Sequence, residues 1–260
     1  MSQAVTTPMD VRLMNATAAL LVLVFAGLCV VAAGRYVVGL PLFRLQGISV
    51  EGDTNHNNAV TLRANVAPRV QGTFFTVNLQ RVREAFEAVP WVRQAVVRRE
   101  FPNRLRVELQ EHQAVAYWGE QQLVNSHGEV FDANVDEVEQ DKLPSLSGPD
   151  GQSALVLDMY RQIAPEMQRL DLPVAGLELT GRGSWRVQLE SNAVVELGRG
   201  TQQEVMERVQ RFTHTLTQVT ARYGRTPQAL ESADLRHENG YAVKLQGVTT
   251  LAADATPRKK

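Results

Sequence analysis

The sequence predicts an α+β protein: one N-terminal transmembrane helix, a small β-α-α-β-β domain, then a mixed antiparallel sheet domain with helices. Three observations predict it. Residues 16–34 contain no charged side chain. Residues 79–89 place apolar side chains at helical spacing between segments that alternate like strands. A capped helical pattern from Thr201 lies among further alternating segments.

The apolar run organises the rest. Leu20, Leu21, Val22, Leu23, Val24 and Phe25 stand at its centre, and a bilayer core about 30 Å thick needs roughly 20 apolar residues of helix. A cleavable signal sequence is the competing reading. The run exceeds the usual h-region of about 7–15 residues, and Arg12 alone makes a weak n-region. An uncleaved anchor over residues 15–38 is therefore favoured. Arg12 on one side and Arg35 and Arg44 on the other barely decide orientation by charge. Size argues for the amino terminus inside, because residues 1–14 cannot form a domain and the following stretch can.

Composition agrees with one anchor and a globular remainder. Hydrophobic residues make up 44% and charged residues 21%, values at which a core can be buried. The chain carries a formal net charge of −1, which gives no bulk attraction to nucleic acid or anionic lipid. The single cysteine, Cys29, lies inside the apolar run, so the remainder depends on its core rather than on disulfides.

Taken in order, residues 1–14 read as a short tail. Ile48 and Val50 alternate in a strand ended by Gly52, and the polar cluster 53–57 is able to start a short helix over 58–66, closed by Pro68. Asn78 is the cap for a helix in which Leu79, Val82, Phe86 and Val89 share one face, and Pro90 stops it. Residues 91–99 and 104–110 are strands joined by Phe101-Pro102-Asn103.

Beyond Gln113, residues 122–124 and 129–131 flank Asn125-Ser126-His127-Gly128 as a hairpin. Residues 129–141 are rich in acids, hold no base, and read as a solvated loop. Residues 153–170 suit a helix with apolar positions 155, 156, 159, 163, 167 and 170, bent or interrupted at Pro165. Residues 177–179, 185–189 and 193–197 form a meander. The helix from Thr201, boxed by Glu204, steps through Val205, Val209, Phe212, Leu216, Val219 and Tyr223, and Gly224 and Pro227 end it. The last strands are 230–235 and 241–245, joined across Asn239-Gly240, and residues 248–260 read as a disordered tail.

No catalytic or metal constellation stands out. The histidines at 56, 112, 127, 214 and 237 show no paired spacing, and no G-x-S-x-G occurs. Gly198-Arg199-Gly200 before a helix lacks the Lys and Ser/Thr of a phosphate loop and reads as a turn. Residues 81–106 hold a surplus of arginine, which reads either as stems covering helix and hairpin faces or as a docking face for acidic partners.

These segments carry a resemblance. One anchor followed by Ile48-Ser49-Val50-Glu51-Gly52, Pro90-Trp91-Val92 and Phe101-Pro102-Asn103-Arg104-Leu105 resembles the POTRA module of the FtsQ/DivIB family of bacterial cell-division proteins. The stretches Ser184-Trp185-Arg186-Val187-Gln188-Leu189, Val195-Glu196-Leu197-Gly198-Arg199-Gly200 and Ala233-Asp234-Leu235-Arg236 through Gly240-Tyr241-Ala242-Val243 are similar to the second domain of that family. The resemblance implies a POTRA domain over 43–111 and a C-terminal β domain over 112–247. It implies a non-enzymatic scaffold of the divisome, with no cofactor, no small-molecule substrate and no nucleic acid. It implies a single-pass type II protein of the bacterial inner membrane, amino terminus cytoplasmic and bulk periplasmic, at the division septum.

Partner binding is expected at the end of the chain. A terminal hairpin strand with only a tail after it leaves its outer backbone groups unpaired, and a partner peptide can add a strand there. The resemblance implies that FtsB, and through it FtsL, binds Arg236, His237, Glu238, Gly240, Tyr241, Ala242, Val243, Lys244 and Leu245, while other divisome proteins contact the POTRA domain and anchor. The alternatives are a POTRA-bearing envelope assembly or secretion component, and a membrane-tethered envelope enzyme.

Overall fold

The computed structural model of the chain describes residues 9–138, 143–237 and 240–249. Of the tails, residues 1–8 and 250–260 lie outside this set, as do Glu238 and Asn239 and residues 139–142 of the acid-rich loop. The chain forms two compact units, one ending at Glu111 and one beginning at His112.

The first unit opens with α1 (Met9–Val38), an unbroken helix of 30 residues with no buried side chain, long and apolar enough to cross a membrane. Beyond it come β1 (Gly47–Gly52), α2 (Ala59–Val66), α3 (Leu79–Glu87), β2 (Val92–Glu100) and β3 (Arg104–Glu111). The strand order is β1-β3-β2, with β1 parallel and β2 antiparallel to the central β3. On β3, Leu105, Val107 and Leu109 are buried while Arg104, Arg106 and Glu108 are exposed, the period of two that lets one face of a strand meet a core. Leu62 and Val66 from α2 and Val82, Ala85 and Phe86 from α3 cover that face.

Both helices begin where a side chain satisfies their first N–H groups. Asn78 accepts from Gln80 and Arg81 in α3, as its sequence predicts. For α2 the cap is Asn58, whose carbonyl accepts from Thr61, rather than any residue of the 53–57 cluster. Asn57 is instead turned inward and buried.

The second unit is a sheet of nine strands among the described residues, in the order β12-β11-β10-β9-β8-β7-β4-β5-β6. Its strands are β4 (Ala114–Trp118), β5 (Gln122–Asn125), β6 (Val130–Phe131), β7 (Ser145–Ser147), β8 (Val174–Leu179), β9 (Ser184–Leu189), β10 (Val194–Arg199), β11 (Leu230–Asp234) and β12 (Ala242–Leu245). Antiparallel β8, β9 and β10 form the expected meander. Three pairings are parallel: β4 with β7, β7 with β8, and β10 with β11.

Two helices pack on this sheet, α4 (Ser153–Gln168) and α5 (Gln202–Ala221). Helix α4 buries Val156, Leu157, Met159, Ile163 and Met167, while Leu155 faces outward. It runs past Pro165 without interruption, so the proline costs a backbone donor but not the helix. Helix α5 starts at the predicted capping box of Thr201 and Glu204 and buries Val205, Val209, Phe212 and Leu216. It stops at Ala221, which leaves Tyr223 exposed rather than on the apolar face. Because β10 and β11 are parallel, α5 is the crossover that carries the chain back between them.

Candidate functional site

The candidate site is the β11–β12 hairpin at one end of the large sheet. Strand β12 is antiparallel to β11, with Ala242 opposite Asp234, Val243 opposite Ala233, Lys244 opposite Ser232 and Leu245 opposite Leu230. A bulge at Glu231 takes up one extra residue on β11. Among the described residues, β12 has a hydrogen-bonded neighbour on one side only.

The direction of its free backbone follows from alternation. Gln246 N–H donates to the Ala229 carbonyl at 2.8 Å, so the backbone of Gln246 faces β11. Successive residues of an antiparallel strand turn their backbone groups to opposite edges. Lys244 and Ala242 therefore also face β11, and the N–H and C=O groups of Val243 and Leu245 point away from the sheet, where the Leu245 carbonyl accepts from the Val248 N–H at 3.2 Å.

Side chains sort the other way, across the two faces. Leu245 is buried, Val243 and Tyr241 are half-buried against the large core, and Ala242 and Lys244 are exposed. The Tyr241 ring meets Phe212 edge-on at 5.1 Å, and its hydroxyl lies 2.7 Å from Thr215 Oγ1. Helix α5 thus holds the strand by its apolar side, and among the described residues no strand pairs with its outer edge.

Charge is arranged around the same strand. Lys244 Nζ lies 2.6 Å from Glu231 at the bulge. Arg236 closes on Asp234, its Nε 2.9 Å from Oδ1 and its Nη2 reaching Oδ2. That hydrogen bond, ahead of the opposing effect of burial, holds the Asp234 carboxyl at about 2. On the neighbouring strands Arg186 bridges Glu196 at 2.7 Å and Glu178 at 3.2 Å, which gives this face a polar surface.

The structure therefore brings Arg236, Tyr241, Ala242, Val243, Lys244 and Leu245 onto one hairpin, with Gly240 two residues before its last strand. His237 is exposed at the loop, and Glu238 lies outside the described residues. Sequence reasoning missed Thr215, Phe212, Glu231 and Asp234, which support the strand and pair its charges. Asp234 was the most accessible of these, since residues two apart on a strand share a face.

Other sequence features take structural roles. Gly198 and Gly200 adopt positive φ beside Arg208, whose Nη1 donates to the Leu197 and Arg199 carbonyls, so the turn is filled by protein. Of the arginine surplus, Arg83 pairs with Glu87 and Arg106 with Glu100 and Glu51, and Arg99 donates to the Phe74 and Val77 carbonyls. Among the described residues, no three His, Cys, Asp or Glu side chains converge on a point that could hold a metal ion.

Comparison with known proteins supplies the family. Residues 43–112 match the POTRA domain, FtsQ-type, and residues 116–236 match cell division protein FtsQ/DivIB, C-terminal. The second match ends at Arg236, before β12. The chain is 39% identical to cell division protein FtsQ of Thiomonas arsenitoxydans, over 97% of this chain and 93% of that one. It is 41% identical to cell division protein FtsQ of Burkholderia pseudomallei, over 93% and 96%. With cell division protein FtsQ of Bordetella pertussis the identity is 36%, over 91% and 92%. A POTRA unit, a mixed sheet domain and one helix able to cross a membrane accompany these matches, and the chain belongs to the FtsQ/DivIB family of cell-division proteins.

Proposed function

We propose that this chain is a non-catalytic scaffold of the bacterial divisome that recruits FtsB, and through it FtsL, by strand addition on β12. In this reading α1 anchors the protein in the inner membrane with the amino terminus in the cytoplasm and both compact units in the periplasm, at the division septum. The POTRA unit and the anchor serve contacts with other divisome proteins.

The observation that carries the proposal is the position of β12. It ends the large sheet among the described residues, it is held from one face by α5, and the outward Val243 N–H and C=O and Leu245 N–H offer two donors and an acceptor to an incoming strand. Backbone hydrogen bonds supply affinity in such an arrangement, and alternate side chains supply selection.

The test is Val243→Pro in the full chain. The Val243 N–H points away from β11, so proline removes a donor to the partner without breaking the ladder to β11. Binding of the periplasmic segment of FtsB should fall at least tenfold, the order expected when a hydrogen bond worth about 1.4 kcal/mol and a strand fit are lost. Unchanged affinity in a variant with wild-type circular dichroism would remove the strand-addition reading. Fluorescent fusions check the wider role, which requires enrichment at midcell.

A further inference from the structure

The POTRA unit carries an exposed apolar cluster that neither its core nor the β12 edge accounts for. Leu42 is 71% exposed, Phe75 48% and Phe101 78%. Isolated apolar residues on a surface are ordinary, but Phe75 and Phe101 are linked through Phe74, and Leu42 is the chain neighbour of Phe43, whose ring meets Phe75, a grouping that marks a contact. The cluster is held together: the Phe43 and Phe75 rings meet edge-on at 4.9 Å, Phe74 meets Phe75 at 5.2 Å, and Phe74 meets Phe101 at 6.3 Å.

Its backbone is fixed as firmly. Phe74 N–H donates to the Phe43 carbonyl at 2.8 Å, and Arg44 bridges Thr73. A tight turn, in which Val77 N–H donates to the Thr73 carbonyl at 2.8 Å, lifts Phe75 to its tip. Arg99 pins the same loop by donating to Phe74 and Val77. The aromatic tips are thus preorganised in an outward position.

Chain continuity says what covers them. The charge-free run ends at Gly34, and the exposed Arg35 and Tyr36 that follow are the residue types that settle at a membrane interface. Leu42 comes four residues after α1 ends at Val38, a reach of at most about 14 Å even if fully extended. The link is shorter than that, because Gly39 N–H donates to the Arg35 carbonyl, Leu40 to Val37 and Phe43 to Leu40. The headgroup layer is about 5–7 Å deep on each side of the hydrocarbon core. A cluster tied this closely to the helix end has the bilayer surface as its nearest neighbour.

We infer that Leu42, Phe75 and Phe101 insert into the headgroup–acyl boundary of the bilayer that α1 spans, and dock the POTRA unit on the lipid surface. The inference rests on the reading of α1 as a membrane anchor. The occupant is lipid rather than a protein partner, and the exposed Arg44, next to Phe43, and Arg104, three residues after Phe101, favour anionic headgroups.

The experiment uses the full chain in lipid nanodiscs of phosphatidylethanolamine and phosphatidylglycerol. Cys29, the only cysteine, is replaced (Cys29→Ser), and a nitroxide is attached at Thr76→Cys, beside Phe75. Labels at Phe25→Cys within α1 and at Gln94→Cys serve as lipid and water references, Gln94 lying about 23 Å along β2 from Phe101. The Thr76 label should collide with oxygen more than with a water-soluble nickel chelate, as the Phe25 label does. Leu42→Ser, Phe75→Ser and Phe101→Ser combined should return it to the Gln94 ratio. A Thr76 label that is aqueous while the Phe25 label is in lipid overturns the docking alone. An aqueous Phe25 label overturns the anchor reading and this inference with it.

Discussion

Arg236 holds Asp234 by two nitrogens across a single intervening residue, Leu235, at the point where β11 passes into the terminal hairpin loop. The pair sets a pH dependence with a definite sign. The Asp234 carboxyl in the folded chain lies at about 2, below its ordinary 3.8. A depressed folded value adds stability that is present above the unfolded value and lost as pH falls through the folded one. Asp234→Asn should therefore lower the melting temperature of the second unit slightly at neutral pH, and the difference from wild type should vanish as pH approaches about 2. Thermal unfolding followed from neutral pH downward measures it, and a gap that stays constant over that range contradicts the assignment.

Glu111 anchors the far end of the POTRA sheet. Its Oε1 accepts from the Asn57 backbone and side-chain amides at 3.1 and 3.0 Å, and its Oε2 accepts from the His56 N–H at 3.1 Å. The carboxylate side chain is only 5% exposed. Glu111→Ala leaves the buried Asn57 backbone N–H unmatched and its side-chain amide with the Pro90 carbonyl alone, at a cost of about 1–3 kcal/mol. Glu111→Gln, which keeps an acceptor, should cost less, and chemical denaturation of both variants tests the ordering.

Gly52 ends β1 with φ +102°, and a Cβ built there would sit 2.2 Å from the Leu109 carbonyl oxygen. Neither strain nor clash has a side-chain escape, since the obstructing atom belongs to the backbone of β3. Gly52→Ala should destabilise the POTRA unit by at least about 1–3 kcal/mol. Hydrogen exchange of the β1–β3 amides should rise in this variant before that of the second unit does.

Phe212 is wholly buried on α5 and also carries the Tyr241 ring. Phe212→Ala should cost about 3–5 kcal/mol through the cavity it leaves. It should also loosen β12, so that partner affinity falls in proportion to the population of the opened strand. If affinity is unchanged while stability drops, the support of the edge by α5 is not what orders it.

Much of the fold was legible because its determinants are local. The capped starts of α3 and α5, the alternation of Leu105, Val107 and Leu109, and the meander 174–199 are properties of neighbouring residues, and they stand in the structure where the sequence predicts them. The strands that escaped notice are β4 and β7. Ser145–Ser147 is three residues long between Pro144 and Gly148, and Ala114–Trp118 shows no alternation. Strand β7 has only parallel partners distant in sequence, and β4, though it pairs antiparallel with the adjacent β5, carries no pattern of its own that announces it. The apolar run was as plain as any feature in the chain, whereas the grouping of Phe43, Phe75 and Phe101 was not, since turn residues 26 or more positions apart share no period.

By itself the sequence determined the membrane-length helix, the type and approximate limits of most elements, and the family to which their order belongs. Those depend on side-chain patterns repeated every two or every 3.6 residues. The tertiary structure alone decided the order of the nine strands among the described residues, with its three parallel pairings, that Glu111 reaches back to Asn57, and that Tyr241 leans on Thr215 and Phe212. Such contacts join residues separated by tens of positions, and they are selected by the joint packing of the core rather than by any local preference.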